Sequence, residues 1–164
     1  HLPRPTPACS RWRVVEMSRI VGIDPGEARI GIAISDDDAS IAFPRQTILA
    51  RGGAAEAARR VRQALADDEI SLAVVGLPLR LDGTEGEAAR RARAFGAVLG
   101  PVLGVEVVYW DERLTTVAAE RSLREMGRRG AKQREVVDRS AAAILLQGYL
   151  DANKGGTWQD PSSR

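Results

Sequence analysis

A chain of 164 residues, 44% hydrophobic and 28% charged, has the length and balance of one globular domain with a core of its own. Its single histidine, His1, and single cysteine, Cys9, both fall in a proline-rich leader. That removes histidine base catalysis, Ser-His triads, histidine-bound zinc and intrachain disulfides from the folded part.

A site in this chain has carboxylates, Lys, Arg, Tyr, Ser and Thr to work with, and any metal would be a hard, oxygen-liking cation. No apolar run approaches the roughly 18 residues of a membrane span. The net charge of +2 is unevenly spread: residues 113–139 carry eight basic and four acidic side chains, whereas residues 17–150 as a whole are neutral. A basic segment on a neutral domain points to a directed anionic partner.

Residues 1–16 hold three prolines and no periodic pattern. They read as a disordered leader or extension, without the apolar stretch of a secretory signal. Residues 19–35, RIVGIDPGEARIGIAIS, are two apolar, β-branched runs around a Pro-Gly turn, which predicts a hairpin of two strands. Asp24 stands at the tip of the first. A carboxylate there must be solvated, capped or bound to a cation. Residues 36–38 (three aspartates) make a polar turn, and residues 41–49 read as a third strand, placed at an edge by Pro44.

Residues 54–66 form an Ala/Arg-rich helix with Ala57, Val61 and Leu65 on one stripe. Residues 70–77, ISLAVVGL, are a continuous apolar run, as in a strand buried on both faces. Residues 78–86 are a loop, residues 87–99 a helix, and residues 104–110 a fifth strand ending in Asp111-Glu112-Arg113. Thr115 or Thr116 caps a helix to about Met126. Residues 127–135 are a basic connection, residues 136–150 the last helix, and residues 151–164 a polar, mobile tail.

Three strands joined by short turns, followed by strand–helix alternation, predict an α/β fold with one mixed sheet. Right-handed crossovers set strands four and five beside the first. Asp24, residues 76–78 and Asp111-Glu112 then meet at the carboxyl ends of the parallel strands, where such sheets place their chemistry. Asp138 heads the helical stripe Asp138, Ala142, Leu145, Tyr149, which should pack on the sheet.

Asp24, Glu112 and Asp138 could thus form an oxygen cage for one or two divalent cations, and Mg²⁺ suits such a set. Asp111 and Glu112 are adjacent, so one of them faces the site. Glu112 is favoured for its longer reach, with Asp111 as its substitute.

Four blocks, IVGIDPGEARIGIAISD, VVGLPLRLDGTEG, VVYWDERLTT and VVDRSAAAILLQGYL, resemble in order and spacing the signatures of the YqgF/RuvX family of Holliday junction resolvase-like proteins, described as pre-16S rRNA nucleases. The resemblance covers residues 19–150. It implies an RNase H-like domain over residues 17–150, with a five-stranded sheet of order 3-2-1-4-5, strands one to three antiparallel and strands four and five parallel to the first.

It further implies nucleic-acid cleavage dependent on Mg²⁺ or Mn²⁺, maturation of the 5′ end of small-subunit ribosomal RNA, and a cytoplasmic location. By position, the catalytic acids are Asp24, Glu112 and Asp138. Where the similar resolvase RuvC ends its fourth strand with a catalytic Glu, this chain has Gly76-Leu77-Pro78, which puts strong activity on branched DNA in question.

Arg29, Arg80 and Arg113 lie in or beside the blocks and could hold phosphates, while Arg128, Arg129, Lys132 and Arg134 could follow a nucleic-acid backbone. With 4% aromatics, recognition by backbone and shape is expected over base stacking. The partner would be pre-rRNA or branched DNA, and the protein a monomer or homodimer. A non-catalytic RNA-binding assembly factor would share these features. An actin-like ATPase fragment, suggested by the Asp24-x-Gly26 hairpin, would need a second domain and phosphate loop.

Overall fold

The computed structural model describes residues 18–114 and 140–153. The leader, the helix expected after Thr115, the basic connection and the last eleven residues lie outside that set.

Five strands form one sheet: β1 (Arg19–Pro25), β2 (Arg29–Ser35), β3 (Ala42–Leu49), β4 (Ile70–Leu77) and β5 (Glu106–Asp111). Their order is β3-β2-β1-β4-β5. β2 runs antiparallel to β1 and to β3, whereas β4 is parallel to β1 and β5 to β4. The sequence reading called for this order and these directions. The hairpin is closed by Gly26 N–H donating to the Arg29 carbonyl at 2.9 Å. Pro44 does sit on an edge strand, next to a register shift between Ile32 and Ala33 that relieves the ladder of its missing donor.

Helices cover both faces. Helix α1 (Ala54–Ala64) and helix α2 (Glu87–Leu103) pack on one side and α3 (Ala141–Ala152) on the other. Alternation along the strands sorts the side chains. Val21, Ile23, Ile32 and Val75 meet Val61 and Ala57 of α1 and Phe95 and Leu99 of α2 in the main core. Ala33, Val74 and Val108 meet Ala142, Leu146 and Tyr149 of α3 in the other.

The second layer is close because β1 offers it a glycine: a Cβ at Gly22 would lie 2.7 Å from Leu146 Cβ. Trp110, half-buried, packs against this layer, edge-on to Tyr149 at 5.7 Å between ring centroids.

Helix limits differ from the sequence reading, and α1 stops at Ala64, two residues short of the expected end. Helix α2 passes through Pro101 and stops at Gly104, whose φ of +70° gives the left-handed cap. Within the described residues, helix α3 begins at Ala141, capped by Ser140, whose Oγ accepts from Ala143 N–H at 3.0 Å. Ser140 itself is extended (φ −138°, ψ 92°), so the last helix does not run unbroken from residue 136. At the other end it continues to Ala152.

Candidate active site

The carboxyl ends of β1, β4 and β5 lie side by side, because parallel pairing aligns strands that leave their helices in the same direction. Asp24 pairs across the hairpin with Gly31, and Gly76 of β4 pairs with Trp110 of β5. Asp24, Gly31 and Gly76 project toward α3: a Cβ at Gly31 would touch Asp24 Cβ and Ala142 Cβ, and one at Gly76 would touch Leu145. The site therefore belongs to the α3 face at its open end.

Glu112 follows directly on β5, and its carboxyl occupies the space that Gly76 leaves empty. A Cβ at residue 76 would lie 2.6 Å from Glu112 Oε1, a distance at which something must move. Glycine at the end of strand four is thus the complement of the acid from strand five. The same chain region that lacks the resolvase-type glutamate makes room for a glutamate from its neighbour.

From that position Glu112 meets Asp24. Burial first, then the negative charge of Asp24 and a hydrogen bond between the two carboxyls, push Glu112 up to about 7. The protonated form of Glu112 can donate to Asp24, whereas two bare carboxylates would repel.

Asp111 is committed elsewhere. Arg113 Nη2 lies 2.7 Å from Asp111 Oδ2, and Arg113 Nε lies 3.1 Å from each of its oxygens. The Arg113 hydrogen bond is the main cause that lowers the Asp111 carboxyl below the usual carboxylate range. Arg113 Nη1 also donates to the Leu81 carbonyl at 3.4 Å and packs against Gly83. The pair braces the β4–α2 loop to the end of β5.

The other predicted residues divide. Arg29 begins β2 beside the hairpin turn and Arg80 sits in the β4–α2 loop. Both are exposed, and neither makes an ion pair with a described residue. Asp138, Arg128, Arg129, Lys132 and Arg134 lie outside the described residues. Among the described residues no three acidic, His or Cys side chains gather into a metal-binding group.

Asp24 and Glu112 still suit a divalent cation. They are hard oxygen donors held together against their own repulsion, and a cation would offset that repulsion. What the sequence reading missed is Gly76 as the vacancy and Arg113 as a brace. The first had a visible signal, a glycine near the end of an otherwise continuous apolar strand, which marks a close approach.

A cavity of about 480 Å³ opens from the two acids toward α1 and α2.

A family model described as "RuvX: Holliday junction resolvase" matches residues 18–152. A protein of Chloroflexus aggregans named "Putative pre-16S rRNA nuclease" is 44% identical over 135 residues, 82% of this chain and 94% of that protein. One of the same name from a Nocardioides species is 45% identical over 139 residues, 82% and 88% of the two chains. Among solved structures, Thermus thermophilus RuvC in complex with Holliday junction substrate aligns with a TM-score of 0.52 at 20% identity, over 84% of this chain and 96% of that one. That likeness is one of fold: the RNase H-like sheet expected from the sequence.

Proposed function

Because this chain belongs to the RuvX family, we propose that it is a nuclease dependent on Mg²⁺ or Mn²⁺ that hydrolyses phosphodiester bonds in structured RNA. Its role is processing of the 5′ end of pre-16S rRNA in the cytoplasm. The observation that carries the reading is Glu112 meeting Asp24 over Gly76. Two acids from different strands are forced together at the open end of a parallel sheet, at a cost in repulsion that a purely structural role does not explain.

Asp24 and Glu112 would hold the cation, with Asp138 as a third ligand. When bound, the metal supplies Lewis-acid polarisation of a phosphoryl oxygen and lowers the pKa of a water. The protein's own part is to keep both carboxylates aimed at one point. Gly76 provides the room, Leu145 bounds it from α3, and Asp111 is withheld from the site by Arg113.

Exposed Arg29, beside the hairpin turn, and Arg80, in the β4–α2 loop, would hold phosphates near the scissile bond, and Arg128, Arg129, Lys132 and Arg134 would contact the nucleic-acid backbone. Arg113 contributes through the loop it braces. RNA is preferred to branched DNA because the relatives at 44–45% identity carry the ribosomal name, whereas the junction-bound neighbour is only 20% identical.

The test is cleavage of a structured model RNA with Mg²⁺ or Mn²⁺. Wild type should cut and Asp24→Asn should not, while melting no lower than wild type, since it removes one of two repelling acids. RNA binding without cleavage by the wild type would mean a ribosome assembly factor on a nuclease fold.

A further inference from the structure

The cavity beside the acids has a chemistry of its own. Asp24 and Glu112 stand at one end, and from there it runs between the start of α1 and the first half of α2. Its walls are Ile30, Pro78 and Phe95, with small side chains, Ala54, Ala88 and Ala94, along the two helices. Its charged members besides the two acids are Glu27 and Arg91, and these neutralise each other, Arg91 Nη1 lying 3.6 Å from Glu27 Oε1. Among the described lining residues no cation is left over to attract a second phosphate, and the acids at its end repel one. An uncharged group with an apolar face is what such a space accepts.

We propose that this cavity receives the nucleoside next to the scissile phosphate, with its base against the apolar wall of Ile30, Pro78 and Phe95. The inference rests on the nuclease reading, which puts a phosphate at Asp24 and Glu112. In a nucleic acid each phosphate is flanked by nucleosides, so a phosphate at the mouth delivers one to a cavity that starts there. The volume of about 480 Å³ lies within the range of sites that enclose a small ligand. A base turned out of its stack and held by apolar contact is a recognised way to read a nucleotide at a reacting bond.

The site would recognise an unpaired nucleoside more by shape than by hydrogen bonding, because its lining offers few neutral donors or acceptors. Cleavage would then favour a bond whose neighbouring base is free to leave its helix.

Methyl NMR tests this with 5′-AMP and ribose 5-phosphate as probes in a Mg²⁺ buffer. Ala54, Ala88 and Ala94 are exposed alanines on the cavity wall. AMP should shift their methyl signals, and ribose 5-phosphate at the same concentration should not. Ala88→Leu and Ala94→Leu fill the cavity with a good helix former. Each should keep the wild-type melting temperature and weaken AMP binding at least tenfold.

Equal shifts from the base-free sugar phosphate, or AMP shifts that persist in both leucine variants, overturn the proposal. The readout needs no turnover. Base-dependent shifts in a protein that cleaves nothing would uphold the cavity and refute the nuclease reading, and cleavage without such shifts would do the reverse.

Discussion

The two faces of the sheet are built from the same strands and do opposite work. Toward α1 and α2 the central strands present Val21, Ile23, Ile32 and Val75, all essentially buried, against Val61, Phe95 and Leu99. Toward α3, nearer the open end, they present Gly22, Asp24, Gly31 and Gly76. One face spends its alternation on apolar volume, which stabilises at about 25 cal/mol per Å² of area removed from water. The other gives side chains up, which brings α3 onto the strands and leaves space for two acids. Apolar packing and the proposed chemistry are thus separated by one residue of register, and a slip of one would exchange them.

That separation can be broken from either side. The largest effect belongs to the apolar face. Leu99→Ala, at a fully buried position on α2, should lower unfolding free energy by about 2–5 kcal/mol. Cleavage per folded molecule should be unchanged, as denaturant melts paired with rate measurements would show.

The next is Gly76→Ala. Its Cβ meets Glu112 Oε1 and pushes the acid from Asp24, so kcat should fall about 10²-fold for a displacement on the order of 1 Å. Stability should hold or rise as the acids part. A variant that melts early but still cuts normally would place the chemistry elsewhere.

Gly22→Ala, on the α3 face, should touch both stability and cleavage. Leu146 Cβ and the Ala142 carbonyl stand in the way at 2.7 and 3.1 Å, both on helix α3, so relief requires the helix to move. A loss of about 1–3 kcal/mol is expected, together with reduced cleavage, because α3 also bounds the site.

The sequence carried the apolar face almost completely. The run at residues 70–77 became β4 without change of limits, and the Pro-Gly turn and crossover rule set the strand order. Less of the other face was legible, since its defining feature is absence. Gly76 reads as a weak spot in a strand until Glu112 is seen in the space it leaves.

Pro101 hid the length of α2, because its missing N–H would ordinarily end a helix. Among the described residues Ser140 caps α3, and nothing in an apolar period marks which hydroxyl turns back on the backbone. Asp111 and Glu112 differ in sequence only by reach. In the fold they differ because Arg113, two residues on, holds the first.

The smallest effect is on pH. Glu112 is raised from 4.5 to about 7 in the folded state, so between those values the folded protein holds more protons than the unfolded one. Stability from this group is complete below about 4.5 and is lost as pH rises through about 7. Solvent access moderates its size. Metal-free wild type should therefore lose melting temperature across this window relative to Glu112→Gln, and a parallel decline in both would assign the change to other groups.

The central claim, that Asp24 and Glu112 together hold a catalytic divalent cation, is tested most directly by calorimetric titration of Mn²⁺ into wild type, Asp24→Asn and Glu112→Gln. Mn²⁺ should bind the wild type and should bind each variant at least tenfold more weakly, with a matching loss of metal-induced stabilisation. Equal affinity in all three proteins would contradict the account, because the ion would then bind without the two acids that the sheet brings together.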